Sequence, residues 1–317
     1  MSRIRGRLLH LCAVLLGSTV LTFSLLELLP GDAAVSILGY GATPEDLSAL
    51  RGELRLDDPW PARYGRWLAG VLQGDLGRSL HTGESVARAI MARLPVSIEL
   101  MVMAQLVAVA LGFAAGIGAA SRLGGRVDSS VRAGAALLMS LPSYVMAVGL
   151  IAVFAVRLGW LPATGYTPAS QGLFDNLRSL LLPALSLGLV EAAVLTRLLR
   201  GELSETLGQR FIALARAKGL PERRVLAVHA LKLSMFSSLT VFGLQVGNLI
   251  GGAVVVETIF ALPGVGRLLV DAIHARDIVM VQGIVLFIAV AYVLVNLAID
   301  LGYFLLDPRI RRHGPPA

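Results

Sequence analysis

The chain has 317 residues, 56% of them hydrophobic and 15% charged, with a mean hydropathy of +0.74. Soluble domains carry about a quarter charged residues, so the composition excludes an ordinary soluble protein and points to a polytopic membrane protein. The net charge of +7 rests on 28 basic residues, nearly all Arg flanking apolar runs; this pattern sets membrane topology, and no nucleic-acid partner is expected. Cys12 is the single cysteine and His10, His81, His229, His274 and His313 are scattered, which gives neither a disulfide nor a metal-ligand spacing.

In chain order, six stretches are long enough for a hydrocarbon core of about 30 Å: Leu8–Leu29, Ser97–Ala119, Ala133–Val156, Leu180–Leu199, Met235–Val256 and Val281–Leu305. The expected fold is therefore all-α, a bundle of six transmembrane helices forming one transmembrane domain over residues 1–317. The first run follows Arg3, Arg5 and Arg7 and is too long for a signal-peptide core, so it reads as an uncleaved signal anchor. Arg122, Arg126 and Arg132 lie between spans two and three, and a dense basic set follows span four. By the positive-inside rule both termini lie in the cytoplasm. The long loop 30–96 is then extracytoplasmic.

Within that loop, Thr43-Pro44-Glu45-Asp46 is a helix start, with Thr as N-cap and Pro at the first helical position. Trp60, Tyr64, Trp67 and Val71 share one helical face, expected to lie at the outer interface with its aromatics among lipid headgroups. Gly112 and Gly116 in span two, and Gly243, Gly247 and Gly251 in span five, fall four apart and predict close helix packing. Span four carries Glu191. About eleven Leu or Val at roughly −0.5 kcal/mol each outweigh one carboxylate at roughly +3, so the segment still inserts. Arg197, six residues on, faces another side of the helix, about 120° around the wheel, so Glu191 needs either a pairing group on another helix or a place facing a water-lined pathway. In span six Tyr292, Asn296, Asp300 and Tyr303 form a polar stripe that docks the helix end or lines a pathway.

The cytoplasmic loop 201–232 contains a predicted helix over Gln209–Lys218, stopped by Gly219 at a left-handed cap, with Pro221 opening a second helix. The helix is too short and too basic to make its own core. It suits another protein's groove, or else it is a solvated basic loop. Only Lys218 and Lys232 are lysines and neither precedes Ser or Thr, so no phosphate-binding GxxxxGK[ST] loop can be written. There is also no GxSxG elbow. The chain is not expected to be an enzyme.

The run Phe211-Ile212-Ala213-Leu214-Ala215-Arg216-Ala217-Lys218-Gly219-Leu220 resembles the EAA loop, or coupling helix, of ATP-binding-cassette importer permeases of the peptide and nickel uptake class. Ala213 stands where the general pattern has Glu. The resemblance continues through Leu29-Pro30-Gly31-Asp32, Gly74-Asp75-Leu76-Gly77-Arg78-Ser79, Arg93-Leu94-Pro95 with Glu99, Glu257-Thr258-Ile259-Phe260, Pro263-Gly264 with Gly266-Arg267, Arg276-Asp277, Gln282-Gly283 and Asp307-Pro308-Arg309-Ile310-Arg311. The family commonly has Pro where Val279 stands. The early Leu-Pro-Gly-Asp and the long outer loop are similar to the first of the two permeases such systems encode.

The resemblance implies half of a translocation pathway for peptides, nickel or related small solutes in the prokaryotic inner membrane. Its implied partners are a second homologous permease, two ATP-binding-cassette ATPase domains and an extracytoplasmic substrate-binding protein, with membrane lipid around the bundle. ATP and Mg would be held by the ATPase subunits and no cofactor by this chain. Phe211, Ala213, Ala215, Arg216, Ala217, Lys218, Gly219 and Leu220 would form the coupling contact. An ion-coupled secondary transporter using Glu191 and an integral membrane enzyme are the competing readings.

Overall fold

The computed structural model describes residues 13–24, 43–53, 57–79 and 81–306, leaving aside the side chains at 50, 53, 236–240, 242, 244 and 300–306. The Arg cluster at 3–7, the Leu29–Asp32 motif, the 307–311 motif and the side chains of Asp300 and Tyr303 lie outside the described residues. Among the described residues the secondary structure is helical, with a single isolated antiparallel bridge, Arg78 to Ser85. The helices are α1 (Ala13–Ser24), α2 (Pro44–Glu53), α3 (Trp60–Leu72), α4 (Val86–Ala120), α5 (Arg126–Ser140), α6 (Ser143–Leu150), α7 (Leu173–Leu207), α8 (Arg210–Ala217), α9 (Glu222–Arg224), α10 (Leu231–Ile259), α11 (Val265–His274) and α12 (Ile278–Leu306). α6 and α9 continue into π-helical turns, Ile151–Arg157 and Val225–Ala230.

Helices α4 and α7, and α12 over Ile278–Ile299, are each long and apolar enough to cross a bilayer. The expected third span differs from a straight helix. Its two halves, Arg126–Ser140 and Ser143–Arg157, meet at 104°. Pro142 is the cause, because it has no N–H to continue the ladder and forces Leu141 out of the helical region, to φ −97 and ψ 123. Taken as one broken span this pair is the fourth, and Ala13–Ser24 and Gln245–Ile259 are shorter apolar helical stretches. The protein is an all-α membrane bundle.

The described chain divides into two compact units, one of residues up to 95 with 264–294, the other of 96–263 with the segment from 295. In the first, Thr43 caps α2 as its sequence predicts: its Oγ accepts the Asp46 N–H at 3.2 Å and donates to the Asp46 carboxylate at 2.8 Å. The aromatic stripe of α3 has a protein partner. Phe23 of α1 sits against Trp60, Tyr64 and Trp67 with ring centroids 5.8, 5.6 and 5.5 Å away, and Thr19 hydrogen-bonds the Tyr64 hydroxyl at 2.8 Å. Periodicity identified the apolar face, and the buried Phe23 packs on it, a contact that the pattern of α3 alone does not give.

Two of the quoted motifs meet in this unit. Ser79 donates to the Asp277 carboxylate, and the other Asp277 oxygen accepts the Met280 N–H at 3.1 Å, capping α12. Ser79 Oγ also accepts the N–H groups of His81 and Thr82. Below this knot Val86, Ala89 and Ile90 pack on Val265, Leu268, Met280 and Ile284. A Cβ at Gly283 would stand 2.4 Å from Val86 Cγ1, and one at Gly77 (φ +86) 2.7 Å from Val279 Cγ1. Only glycine fits either place.

In the second unit α4 and α7 run parallel and nearly in backbone contact. A Cβ at Gly188 would meet the Ala104 carbonyl at 2.6 Å, one at Gly112 would meet Leu195 Cβ at 2.8 Å, and one at Gly116 would meet Leu199 at 3.2 Å. Small residues permit this approach, and dispersion contacts along the seam replace the hydrophobic drive that lipid does not supply. α10 packs antiparallel to α7, with Gly252 against Leu187, Gln245 donating to the Glu191 carbonyl at 3.0 Å, and Ser234 3.2 Å from Thr206. Of the predicted glycine row, Gly243 and Gly247 are buried, but Gly251 is exposed with nothing within 4 Å. The seam follows Gln245, Leu249, Gly252 and Val256, one residue past Gly251, so Gly251 is corrected from a contact to an outward position. Gly188→Ala should therefore destabilise the purified protein by about 1–3 kcal/mol, read as a lower thermal-unfolding midpoint, whereas Gly118→Ala, with nothing within 4 Å, should leave it unchanged.

Candidate functional site

The loop between α7 and α10 folds as a rigid elbow. Gln209 precedes α8 as its N-cap residue, Lys218 is the C-cap, and Gly219 takes φ +75. The Gly219 N–H donates to the Arg216 carbonyl at 2.9 Å and the Leu220 N–H to the Ala215 carbonyl at 3.3 Å. Those two bonds are a Schellman stop, which needs a left-handed residue where glycine stands. Pro221 then opens α9 as the sequence predicts. Arg216 and Glu222 close the elbow with a two-pronged ion pair, Nε to Oε1 at 2.6 Å and Nη2 to Oε2 at 3.2 Å.

The faces of α8 differ sharply. Ile212 and Ala215 are buried against Leu199, Leu203, Val225 and Ala230, in a cluster that also holds Ala120 of α4. Burying Ile212 contributes about 1.5–3 kcal/mol and fixes the helix to its support. Phe211, Ala213, Leu214, Arg216, Ala217 and Lys218 are exposed, with Leu214 at 58% and Phe211 at 41%. Ala215 and the half-buried Leu220 are therefore corrected: they face the chain's own core and anchor the helix, and do not present a surface. Phe211 and Leu214 thus form a small apolar surface held outward on a basic helix, which none of the described residues of this unit covers.

Next to the elbow lies a pair that sequence reading missed. Asp128, 1% exposed at the start of α5, receives both prongs of Arg200 at 3.0 and 2.9 Å and the Gly124 N–H at 3.0 Å. Arg200 belongs to the basic set that follows span four, where charge counting alone reads it as a topology marker. The pair ties the 121–125 turn to the end of α7 on the same side as α8.

At the other end of the unit, Glu99 of α4 accepts the Tyr166 hydroxyl at 2.8 Å and the Asn176 amide at 3.1 Å, while Asn176 also donates to the Thr167 carbonyl. Burial, then the bond to Glu99, push the Tyr166 phenol up to about 12. Tyr166 consequently stays a proton donor at any physiological pH. Fully buried Glu257 accepts Ser97 Oγ at 2.6 Å. These acids, quoted above only as parts of motifs, fasten the 158–172 segment and α10 to α4.

Glu191 stands apart. It lines an open pocket of about 360 Å³ at the α5–α6 bend, with Leu187 and Val190 of α7 and Asn248, Leu249 and Gly252 of α10. Among the described residues no hydrogen bond or ion pair reaches the carboxylate, so the pairing partner expected from another helix is not among them; the backbone carbonyl alone is engaged, by Gln245. In span six, Tyr292 is exposed.

The Arg216 guanidinium beside Glu222 holds its carboxyl below the usual 4.5. A lowered acid contributes its stability above the unfolded value and loses it as pH falls through the folded one, so the elbow should loosen only in acid. At neutral pH, Gly219→Val strains the left-handed turn by about 1–2 kcal/mol and should speed limited proteolysis after Lys218 by about tenfold, whereas Gly219→Asn, tolerated in that conformation, should cleave at close to the wild-type rate.

Comparison with known proteins agrees in extent and kind. Residues 2–101 match the N-terminal family described as binding-protein-dependent transport system membrane component, and residues 112–312 match the binding-protein-dependent transport system inner membrane component family. A Brucella abortus chain named for a peptide transport system permease is 43% identical over 298 residues, 94% of this chain and 95% of the relative. The dipeptide transport system permease of Alkalihalophilus pseudofirmus is 37% identical over 325 residues, 96% and 98% of the two chains. The di/tripeptide transport system permease of Pseudomonas aeruginosa is 38% identical over 332 residues, 98% and 99% of the two. With its apolar helices, its elbow between α7 and α10 and these matches along nearly its whole length, the chain belongs to the inner membrane components of binding-protein-dependent transport systems.

Proposed function

We propose that this chain is the peptide-importing permease subunit of an ATP-binding-cassette system, six times across the prokaryotic inner membrane with both ends in the cytoplasm. The family assignment makes it a transport permease and not an enzyme, with ATP hydrolysis in partner subunits. Peptide cargo follows from the relatives named for peptide and dipeptide transport.

The observation that carries the mechanism is the split face of α8. Ile212 and Ala215 root the helix in the bundle while Phe211 and Leu214 point away from it. ATP and Mg are held by two ATPase subunits, and each permease offers its elbow to one of them. Closing of the ATPases on ATP then displaces α8, and because a packed helix with a Schellman stop cannot deform continuously, the displacement passes to α4 and α7. A second homologous permease completes the pathway, and a binding protein delivers cargo at the outer face. No step in this cycle needs a covalent bond from this chain.

Orientation is supported within the second unit. The Asp128–Arg200 pair brings the Arg122–Arg132 turn to the same end as the elbow, so Arg122, Arg126, Arg210, Arg216, Lys218, Arg223 and Arg224 gather there. The 158–172 segment at the other end has only Arg157 and Arg178 beside it. A concentration of that sign belongs on the cytoplasmic side. Parallel α4 and α7 separated by one broken span, and antiparallel α10, are also what alternating crossings require.

Single-cysteine variants in a Cys12→Ser background test the topology: a membrane-impermeant thiol reagent added outside should label positions 60 and 170 and spare 126 and 214. Labelling of 214 from outside would overturn both orientation and coupling. ATP-driven uptake of a dipeptide by proteoliposomes of the assembled importer tests the function. Removing this chain should abolish uptake, and Phe211→Ser with Leu214→Ser should lower it at least about tenfold with assembly of the chain itself unaffected.

A further inference from the structure

The unassigned feature of greatest chemical consequence is the cavity at the α5–α6 bend. A carboxylate inside the hydrocarbon zone is costly unless it meets a partner or water, and three other acids of the second unit, each buried or half-buried, have partners: Asp128 has Arg200, Glu99 has Tyr166 and Asn176, Glu257 has Ser97. Glu191 has instead a water-accessible space of about 360 Å³, far more than one water needs. Among the described residues no Arg, Lys or His lines it. The polar groups that do are Ser140, Ser143 and Asn248, and Asn248 is exposed to the same space.

The bend reinforces the sign of the site. Helix α5 ends at Ser140; the Ser140 hydroxyl and the Leu141 N–H take up the Leu137 and Leu138 carbonyls, and Pro142 has no N–H to offer the next one. The C-terminal end of a helix carries partial negative charge, and here it opens into the cavity that holds Glu191. Carboxylate, amide oxygen, hydroxyls and carbonyl ends together offer acceptors with no competing cation. Glu191 is also held in place, since Gln245 grips its backbone carbonyl from α10. The apolar part of the lining, Met139, Leu187 and Leu249, suits the hydrocarbon stem that carries a primary amine.

We propose that this cavity is a cation-recognition subsite in which Glu191, aided by Asn248, receives a primary ammonium group of the passing cargo. The inference rests on the peptide-permease reading given above. A single carboxylate in a wet cavity attracts an ammonium ion without burying it, so the site lowers the barrier for cationic cargo without trapping it. Selectivity for charge is then set partly in the permease and not solely where cargo is first captured.

The test uses the whole importer, with its partner permease, ATPases and binding protein, in proteoliposomes, and two peptides that differ only in lysine against norleucine at one position. With Glu191→Gln, uptake of the lysyl peptide should fall at least about tenfold relative to the norleucyl peptide, whose uptake should stay within about twofold of wild type; Glu191→Asp should restore most of the loss. Equal losses for both peptides with a lowered melting temperature would make Glu191 a structural residue and overturn the proposal. Unchanged uptake of both peptides would overturn it as well. If the wild-type complex moved neither peptide on ATP, the peptide-permease reading itself would fall, a result distinct from either outcome of the variants.

Discussion

Hydrocarbon gives a polar group no partner, so each one carried into the bundle must be satisfied by the protein or by water. That constraint orders most of what is seen here. It selects helices throughout, it pairs Asp128 with Arg200 at one end of the second unit, and it wraps Glu99 and Glu257 in hydroxyl and amide donors at the other. It also explains why Pro142 is informative. The broken ladder there frees backbone groups that lipid could not accept, and the break opens on the cavity that Glu191 faces.

A second consequence concerns how the elbow is anchored. Since lipid does not drive helices together, α4 and α7 are held by close contact at Gly112, Gly116 and Gly188, and their common end carries the cluster into which Ile212 and Ala215 insert. The elbow is thus attached to two helices that pack nearly backbone to backbone. Its stop at Gly219 and its Arg216–Glu222 clasp fix where α8 ends and how the chain turns after it.

How much of this was legible in the sequence depends on the range of the interaction. The Thr43 cap, the Gly219 stop and the restart after Pro221 are local and were read correctly, because backbone sterics decide them within a few residues. The partner of the Trp60, Tyr64 and Trp67 face was not, since Phe23 is far away in sequence. Glycine spacing predicted the α4 seam, yet it misplaced Gly251, because a row of fours drifts around a helix while the true seam alternates fours and threes. Ala215 was assigned to a partner's surface by motif resemblance, which gives residue identities and not the side of the helix they occupy. Asp128 carried no signal of its own: an acid among arginines looks like a solvated pair until Arg200 is brought to it from 72 residues away.

The central claim is that the outward face of α8, and not its inward face, meets an ATPase subunit. In the assembled importer with Cys12→Ser, a short bifunctional thiol reagent should link Leu214→Cys to a cysteine on the ATPase surface, should do so differently with and without bound ATP, and should leave Ala215→Cys unlinked. Linking at position 215 in preference to 214, or at neither position in a complex that still transports, would contradict the account.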